Sequence, residues 1–260
     1  MGKPLRLELG PVARIVLDRP EKHNALSVEM GMLLRAAVAE INASEETRVV
    51  VVQGEGRAFC AGGDFDIIDA SSRQAPEENR RAMLEFYGSF LSLLRVRVPT
   101  IARIHGAAVG AGLALALACD VRFAANEAKL GANFVRVGLH PGMGCSLLLP
   151  HVVGPAKAAE LIYTGQLIDG TEAARIGLVN KALPAGTLET ETSGVVEQIL
   201  KAAPIAVMQA KATLMARLWS RLDEALSREA SAQAIDFGTE DLREAVAAFR
   251  AGRTPTFAGR

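Results

Sequence analysis

Val49-Val50-Val51-Val52 sets four β-branched residues in a row, closed off by Gly54 and Gly56. Such a run has no polar face to turn toward water, so it fits a strand covered on both sides, as in a parallel sheet flanked by helices. The neighbouring sequence supplies the covers. Ser27 can cap a helix in which Met30, Leu33, Leu34, Ala37, Val38 and Ile41 recur at helical spacing. A second helix is predicted over 77–94, where Met83, Phe86, Phe90, Leu93 and Leu94 share a face, and Pro99 leads from it into an apolar strand near Ile101. Helix, strand, helix, strand in that order predicts an α/β core wound from successive crossover units.

The rest of the chain extends the pattern. Residues 5–18 alternate apolar and polar around Gly10-Pro11, which predicts an opening hairpin. A turn holding Gly110 and Gly112 leads into an apolar helix over 113–119, and 121–124 supplies another short strand. From about Thr187 onward the expectation is helical, in segments 195–202, 205–219 and 222–237. Ala206, Ala210, Leu214, Leu218 and Trp219 fall on one side there, a stripe that serves equally for packing on the chain's own core or on another subunit.

Composition removes several classes of function. Lysine plus arginine equals aspartate plus glutamate at 29 each, so no overall field draws the chain to nucleic acid or a membrane surface. The N-terminal residues have no signal-peptide apolar core, and the apolar stretch 113–119 is too short to span a bilayer. Cys60, Cys119 and Cys145 are widely spaced with no CxxC pair, which suits a reducing cytoplasm. His23, His105, His140 and His151 form no helix-spaced ligand pair, so no metal site is expected.

Two glycine-rich turns carry the chemistry. Ala61-Gly62-Gly63-Asp64 follows Ala58-Phe59-Cys60, and Gly106 to Gly112 precedes a helix. Turns of this kind satisfy backbone geometry. They can also aim two N–H groups at one point, the arrangement that stabilises an oxyanion formed on a carbonyl or thioester oxygen. Small residues would keep side chains out of the way.

The chain resembles the crotonase superfamily, nearly end to end. The resemblance is carried by Arg19-Pro20 with Asn24-Ala25-Leu26, by Phe59-Cys60-Ala61-Gly62-Gly63-Asp64, and by Gly106 through Gly112 followed by Cys119-Asp120. It continues through Gly138-Leu139-His140-Pro141-Gly142-Met143-Gly144, Thr164-Gly165, Ala173, Gly177-Leu178-Val179 and the closing Phe249, Arg253, Pro255 and Phe257. It implies an α/β fold, a spiral of ββα units over 1–190, with a helical trimerisation region over 191–260, in a homotrimer or dimer of trimers. It also implies an acyl-CoA thioester substrate, with coenzyme A entering as part of that substrate and no tightly bound cofactor. The amides of Gly63 and Ala111 match the family's oxyanion positions. Lys22, Ala25, Ala61, Gly62, Asp64, Phe65, Gly110, Ala114, Asn133, Phe134 and Pro141 match its substrate-binding surface.

One departure bears on the reaction. Hydratases of the family hold glutamates at the positions of Ala114 and Phe134, and neither residue here can activate water or deliver a proton. His140 is the candidate substitute, since its ring titrates near neutrality, although a loop histidine also needs no role. Asp64 is a second candidate whose simpler reading is a turn or helix cap. Cys145 reads as a small buried filler. A lysine that relatives place near the CoA phosphates is Asp66 here, with Lys22 and Arg19 as compensating cations and an acyl-carrier-protein thioester as an alternative substrate. Three functions fit: an enoyl-CoA hydratase/isomerase-type enzyme working through a stabilised enolate, a decarboxylase of a carboxylated thioester, or a noncatalytic acyl-CoA binder.

Overall fold

In the computed structural model, which describes residues 2–260, the four-valine run is the spine of the molecule. β1 (Leu5–Glu8) and β2 (Val12–Leu17) form the expected antiparallel hairpin, and α1 (Val28–Ala43) starts where Ser27 accepts a hydrogen bond from the Met30 amide. β3 (Val49–Gly54) then lies parallel to β2 and places Val49 to Val52 against covers on both faces, all four buried. β4 (Ala58–Cys60), α2 (Phe65–Ser71) and α3 (Pro76–Phe90) follow, and a 3-10 turn from Leu91 to Arg95 completes the second predicted helix.

The next units repeat the plan. They comprise β5 (Thr100–Ile104), β6 (Ala107–Val109) and α4 (Ala111–Leu117), then β7 (Val121–Ala125), β8 (Lys129–Gly131), α5 (Cys145–Val153) and α6 (Pro155–Thr164). β9 (Ile168–Asp169), α7 (Gly170–Arg175) and β10 (Lys181–Leu183) close the spiral before α8 (Leu188–Lys201), α9 (Pro204–Asp236) and α10 (Glu240–Arg250). β3, β5 and β7 enter a six-stranded sheet ordered β1-β2-β3-β5-β7-β10, while β4, β6 and β8 enter a four-stranded sheet ordered β4-β6-β8-β9. Each successive pair of strands therefore splits between two sheets before its helix. This is a mixed α/β fold with the ββα spiral and helical C-terminal part that the resemblance implied.

Two expectations need correction. The helix after the second glycine turn begins at Ala111 rather than Leu113, so Gly112 is helical. The reason is steric: a Cβ on Gly112 would come within 2.1 Å of the Cys60 carbonyl oxygen, so the helix can start that close to β4 only with glycine there. The predicted segments 205–219 and 222–237 are one helix of 33 residues, because Ser220 and Arg221 contain no breaker. Its apolar stripe divides. Leu218 is buried, as is Leu222 four residues on, whereas Leu214 and Ile205 lie 78% and 65% exposed.

Candidate active site

The small sheet decides where the two glycine turns meet. β4 and β6 are parallel neighbours, with Cys60 opposite Ala108, so the chain leaves both at the same edge. A Cβ on Gly62 would stand 3.0 Å from the Val109 carbonyl and 3.8 Å from the Ala111 nitrogen, so the turns are in contact. The φ of +110° at Gly62 and +56° at Gly110 is open to glycine at little cost. Around them the backbone is paired: Leu26 N donates to Gly62 O, Asp64 N to Leu26 O, and Gly110 N to Gly131 O. Among the described residues, the amides of Gly63 and Ala111 donate to no protein acceptor.

Both turns open into one cleft. Its walls are largely apolar, with Phe65, Ile67 and Ile68 from α2, Met83 and Phe86 from α3, and Phe134, Val137, Leu139 and Phe237 opposite. The spacing of 83, 86 and 87 puts three α3 side chains on one face toward the space. Asp64, Tyr87, Asn133 and Gln233 supply the polar side chains of the lining. A Cβ on Gly110 would stand 3.0 Å from Asn133 Oδ1, which places that amide against the second turn.

Of the residues singled out from sequence, Ala61, Gly62, Gly63, Asp64, Phe65, Gly110, Ala111, Asn133 and Phe134 line this cleft together. Asp64 acts as a cap: Oδ1 accepts from the Asp66 amide at 3.1 Å and Oδ2 from Arg19 at 3.0 Å. Arg19 also donates to the Ala25 carbonyl at 2.9 Å, so it braces this loop. Lys22, Ala25, Ala114 and Pro141 lie outside the lining. Ala114 is wholly enclosed within α4, and Lys22 pairs with Asp66 at 3.2 Å on the exposed surface. The cations invoked for a phosphate each have an acidic partner.

His140 lines a different depression, shared with Pro141, Ser146, Tyr163 and Asp236. Its backbone N–H donates to Asp236 Oδ2 at 2.6 Å. Its ring Nδ1 lies 2.7 Å from the Pro141 carbonyl, which can only accept, so Nδ1 carries the proton there. Cys145 is fully buried and burial pushes its thiol up; Cys60 and Cys119 are pushed up to about 12 by the same cause. These thiols stay protonated.

Sequence reasoning missed the floor. Tyr87 donates to Gln233 Oε1 at 2.5 Å across 146 positions of sequence. Beneath them Glu229, fully buried, accepts from Gly144 N at 2.6 Å, Ser146 N at 2.8 Å and Ser146 Oγ at 2.5 Å. Burial raises its carboxyl above the usual range against the pull of those donors. Met143 and Gly144 adopt φ of +58° and +73°, and Glu229 pins that loop. A glutamate and a glutamine four apart within a helix give no sequence signal that distinguishes them from a solvated face.

Comparison with known proteins agrees with the geometry. A family model described as enoyl-CoA hydratase/isomerase matches residues 9–260. The crotonyl-CoA hydratase of Syntrophomonas wolfei subsp. wolfei is 32% identical over 252 residues, covering 95% of this chain and 94% of that one. An enoyl-CoA hydratase from Mycobacterium avium subsp. paratuberculosis K-10 superposes with a TM-score of 0.88 at 28% identity, over 98% of both chains. An enoyl-CoA hydratase/isomerase from Pseudoalteromonas atlantica T6c gives 0.87 at 30% identity, over 98% of this chain and all, 100%, of that one. The sequence motifs, the ββα spiral and the full-length matches agree: the chain belongs to the enoyl-CoA hydratase/isomerase family of the crotonase superfamily.

Proposed function

We propose that this chain is an acyl-CoA thioester enzyme that holds the thioester carbonyl between the amides of Gly63 and Ala111 and works through the enolate that they stabilise. The observation that carries the reading is the pair of uncommitted N–H groups on touching turns at the head of one apolar cleft. A donor of this kind typically contributes about 3 kcal/mol to the transition state, because it meets charge that develops only there. Coenzyme A enters as part of the substrate.

Ordinary hydration is slow in this reading. Ala114 and Phe134 offer no proton chemistry, and Asp64, the acid in the lining, is held by Arg19 and by its own helix cap. A positioned acid or base usually supplies about 10² to 10⁴ in rate, which the site lacks. That same observation favours decarboxylation as a second reading. Loss of CO₂ leaves the enolate without any base, and an uncharged wall at Phe134 does not repel a substrate carboxylate. Incubation with crotonyl-CoA, a β,γ-enoyl-CoA, methylmalonyl-CoA and methylglutaconyl-CoA, read by mass spectrometry, separates the outcomes. A loss of CO₂ marks decarboxylation, and an unchanged mass with a moved double bond marks isomerisation. Crotonyl-CoA hydration near a typical enzyme's ~10 s⁻¹ refutes the reading of a missing acid and base. Binding without turnover of any thioester makes the chain a noncatalytic binder.

The assembly belongs to the same proposal, as a trimer or two stacked trimers built through the helical part over 191–260. Ile205, Leu214 and Ile235 of α9 are 65%, 78% and 70% exposed, apolar surface that a neighbour would cover. Light scattering that returns 27.5 kDa at micromolar concentration defeats it.

A further inference from the structure

The direction of the Gly63 amide is set from outside its own turn. In a planar trans peptide the carbonyl and the following N–H point opposite ways, so whatever holds the Gly62 carbonyl also aims the Gly63 hydrogen. The holder is Leu26, whose N–H donates to Gly62 O at 2.8 Å. Leu26 O in turn accepts from Asp64 N at 3.1 Å, which by the same rule turns the Gly63 carbonyl away. The two bonds make a parallel bridge between Leu26 and Gly63. β4 is the edge strand of the small sheet, and β6 with the second turn lies on its inner side. The segment 19–26 is therefore a strap along the outer side of the first turn, and Gly63 N–H points away from it, toward the cleft that Gly63 and Ala111 line.

A strap aims an amide only if it is itself fixed. His23 and Asn24 take φ of +50° and +57°, left-handed values that persist in residues with a Cβ only where the surroundings impose them. Asn24 is fully buried and supplies part of that constraint. Its Nδ2 donates to the Glu55 and Ala58 carbonyls at 2.9 and 2.8 Å, and its Oδ1 accepts from Arg19 N at 2.9 Å. The Arg19 side chain then joins strap to turn. Nη1 donates to Ala25 O at 2.9 Å and Nη2 to Asp64 Oδ2 at 3.0 Å. Those partners stand one residue before Leu26 and one residue after Gly63, so a planar, rigid guanidinium spans the bridge. Its side chain is 18% exposed and that of Asp64 10%, so little water competes for the contacts. We propose that Arg19 is a positioning residue for the thioester oxyanion: by clamping Ala25 and Asp64 it keeps Leu26 N–H on the Gly62 carbonyl, and so keeps the Gly63 N–H aimed into the cleft. It moves no proton and touches no substrate atom. The proposal rests on the thioester reading above and names what holds the first donor in line. It also replaces the reading of Arg19 as a cation for the CoA phosphates, because both terminal nitrogens already have partners within the protein.

The test reads the carbonyl itself and so needs no turnover. Butanoyl-CoA, isotopically labelled at the thioester carbon, is bound to the full chain in its native assembly, and the infrared stretch of its carbonyl is recorded well below the melting temperature. Wild type, Gly63→Pro, Arg19→Met and Arg19→Lys are compared, with calorimetric affinity and a melting curve for each. Hydrogen bonds aimed at the oxygen polarise the bond and lower its frequency, so wild type should shift it down from the free thioester, and Gly63→Pro, with one donor of two removed, should lose about half of that shift. Arg19→Met spares the amide but not its aim, and should lose a similar share, with affinity falling no more than about fivefold, the worth of one neutral hydrogen bond. Arg19→Lys keeps the charge but replaces the two-armed fork by a compact ammonium, and should lose the shift as well. Where a thioester is turned over, both Arg19 variants should slow kcat by about 10²-fold with KM within about fivefold, as misplacement of a donor predicts. A full wild-type shift in Arg19→Met, whatever its melting temperature, makes Arg19 a structural brace and overturns the proposal. A shift lost in Arg19→Met but kept in Arg19→Lys assigns the effect to charge and overturns the clamp. If Arg19→Met does not fold, Arg19→Lys decides alone, a lost shift supporting the clamp and a kept one overturning it. Failure of wild type to bind butanoyl-CoA or to shift its carbonyl, or a wild-type shift that survives Gly63→Pro, overturns the thioester reading instead, and this inference falls with it.

Discussion

The head and the floor of the cleft are built by opposite means. At the head, Gly62–Gly63 and Gly110–Ala111 present main-chain N–H groups, and the side chains there are small so that two strands' ends can touch. On the floor, Tyr87, Glu229 and Gln233 do the polar work with side chains drawn from α3 and α9, far apart in sequence. The head is held by local geometry and short parallel strands. The floor is held by a hydrogen-bond network closed only when α9 docks. A backbone site tolerates side-chain change that spares its N–H groups, whereas a side-chain site fails with one deletion.

The largest expected effect removes a donor at the head. Gly63→Pro deletes the N–H at a position where an added Cβ meets nothing within 4 Å and φ is not left-handed. Turnover of whichever thioester is processed should fall by about 10² to 10³, with the circular dichroism spectrum intact. Ala111→Pro is the matched change, since the first position of a helix accepts proline. Gly63→Ala should leave the melting temperature unchanged, while Gly62→Ala, at φ +110° and 3.0 Å from the Val109 carbonyl, should cost about 1–2 kcal/mol. Unchanged turnover in a folded Gly63→Pro protein would falsify the oxyanion assignment and remove the contrast between head and floor.

The floor predicts the next effect, on stability. Glu229→Ala leaves the amides of Gly144 and Ser146 without their acceptor in a buried place, and should destabilise by about 3 kcal/mol in urea titrations. A loss under about 0.5 kcal/mol would mean that the loop holds itself, as the head does. The same carboxyl sets a pH slope. It keeps its proton to higher pH in the folded chain than unfolded, since burial raises it above the ordinary 4.5. Between those two values the folded state binds more protons, so stability should fall as pH rises from 4.5 through the folded value. Asp236 is raised for the same reason and adds to the slope. Glu229→Gln should flatten the slope in part. A slope of opposite sign there would mean that the hydrogen bonds to Glu229 outweigh its burial.

What could be read in advance follows the same division. The valine run, the Ser27 cap and the hairpin at Gly10-Pro11 were legible because each is a local pattern with one physical solution. The two turns were legible as candidates for the same reason. The four-stranded sheet that brings them together was not, because β4, β6 and β8 are three residues each and carry no periodicity. His140 drew attention as a titratable group near a glycine loop, yet the loop turns its side chain toward the other depression. Tyr87 and Gln233 were passed over because a lone tyrosine on an apolar helix face usually serves packing, and only the tertiary fold supplies its partner.

The smallest effect concerns α2, which belongs to both regions. Its first turn is capped by Asp64 beside the head, while Phe65 faces the cleft and stacks on Phe249 of α10, ring centroids 3.8 Å apart and planes 4° from parallel. Arg250 adds an ion pair to Asp69 at 3.0 Å, exposed enough to contribute little. The cap is a local device and the stack a long-range one, so deleting each in turn asks which of them positions α2. Phe249→Ala removes the stack from a ring already 61% exposed, and should cost no more than about 1 kcal/mol. Amide exchange over 65–71 should rise while exchange at 62–64 stays as in wild type, because the Asp64 cap and the Arg19 pair remain. Faster exchange extending into 62–64 would show that the C-terminal helix also holds the head, and the two regions would then be one cooperative unit.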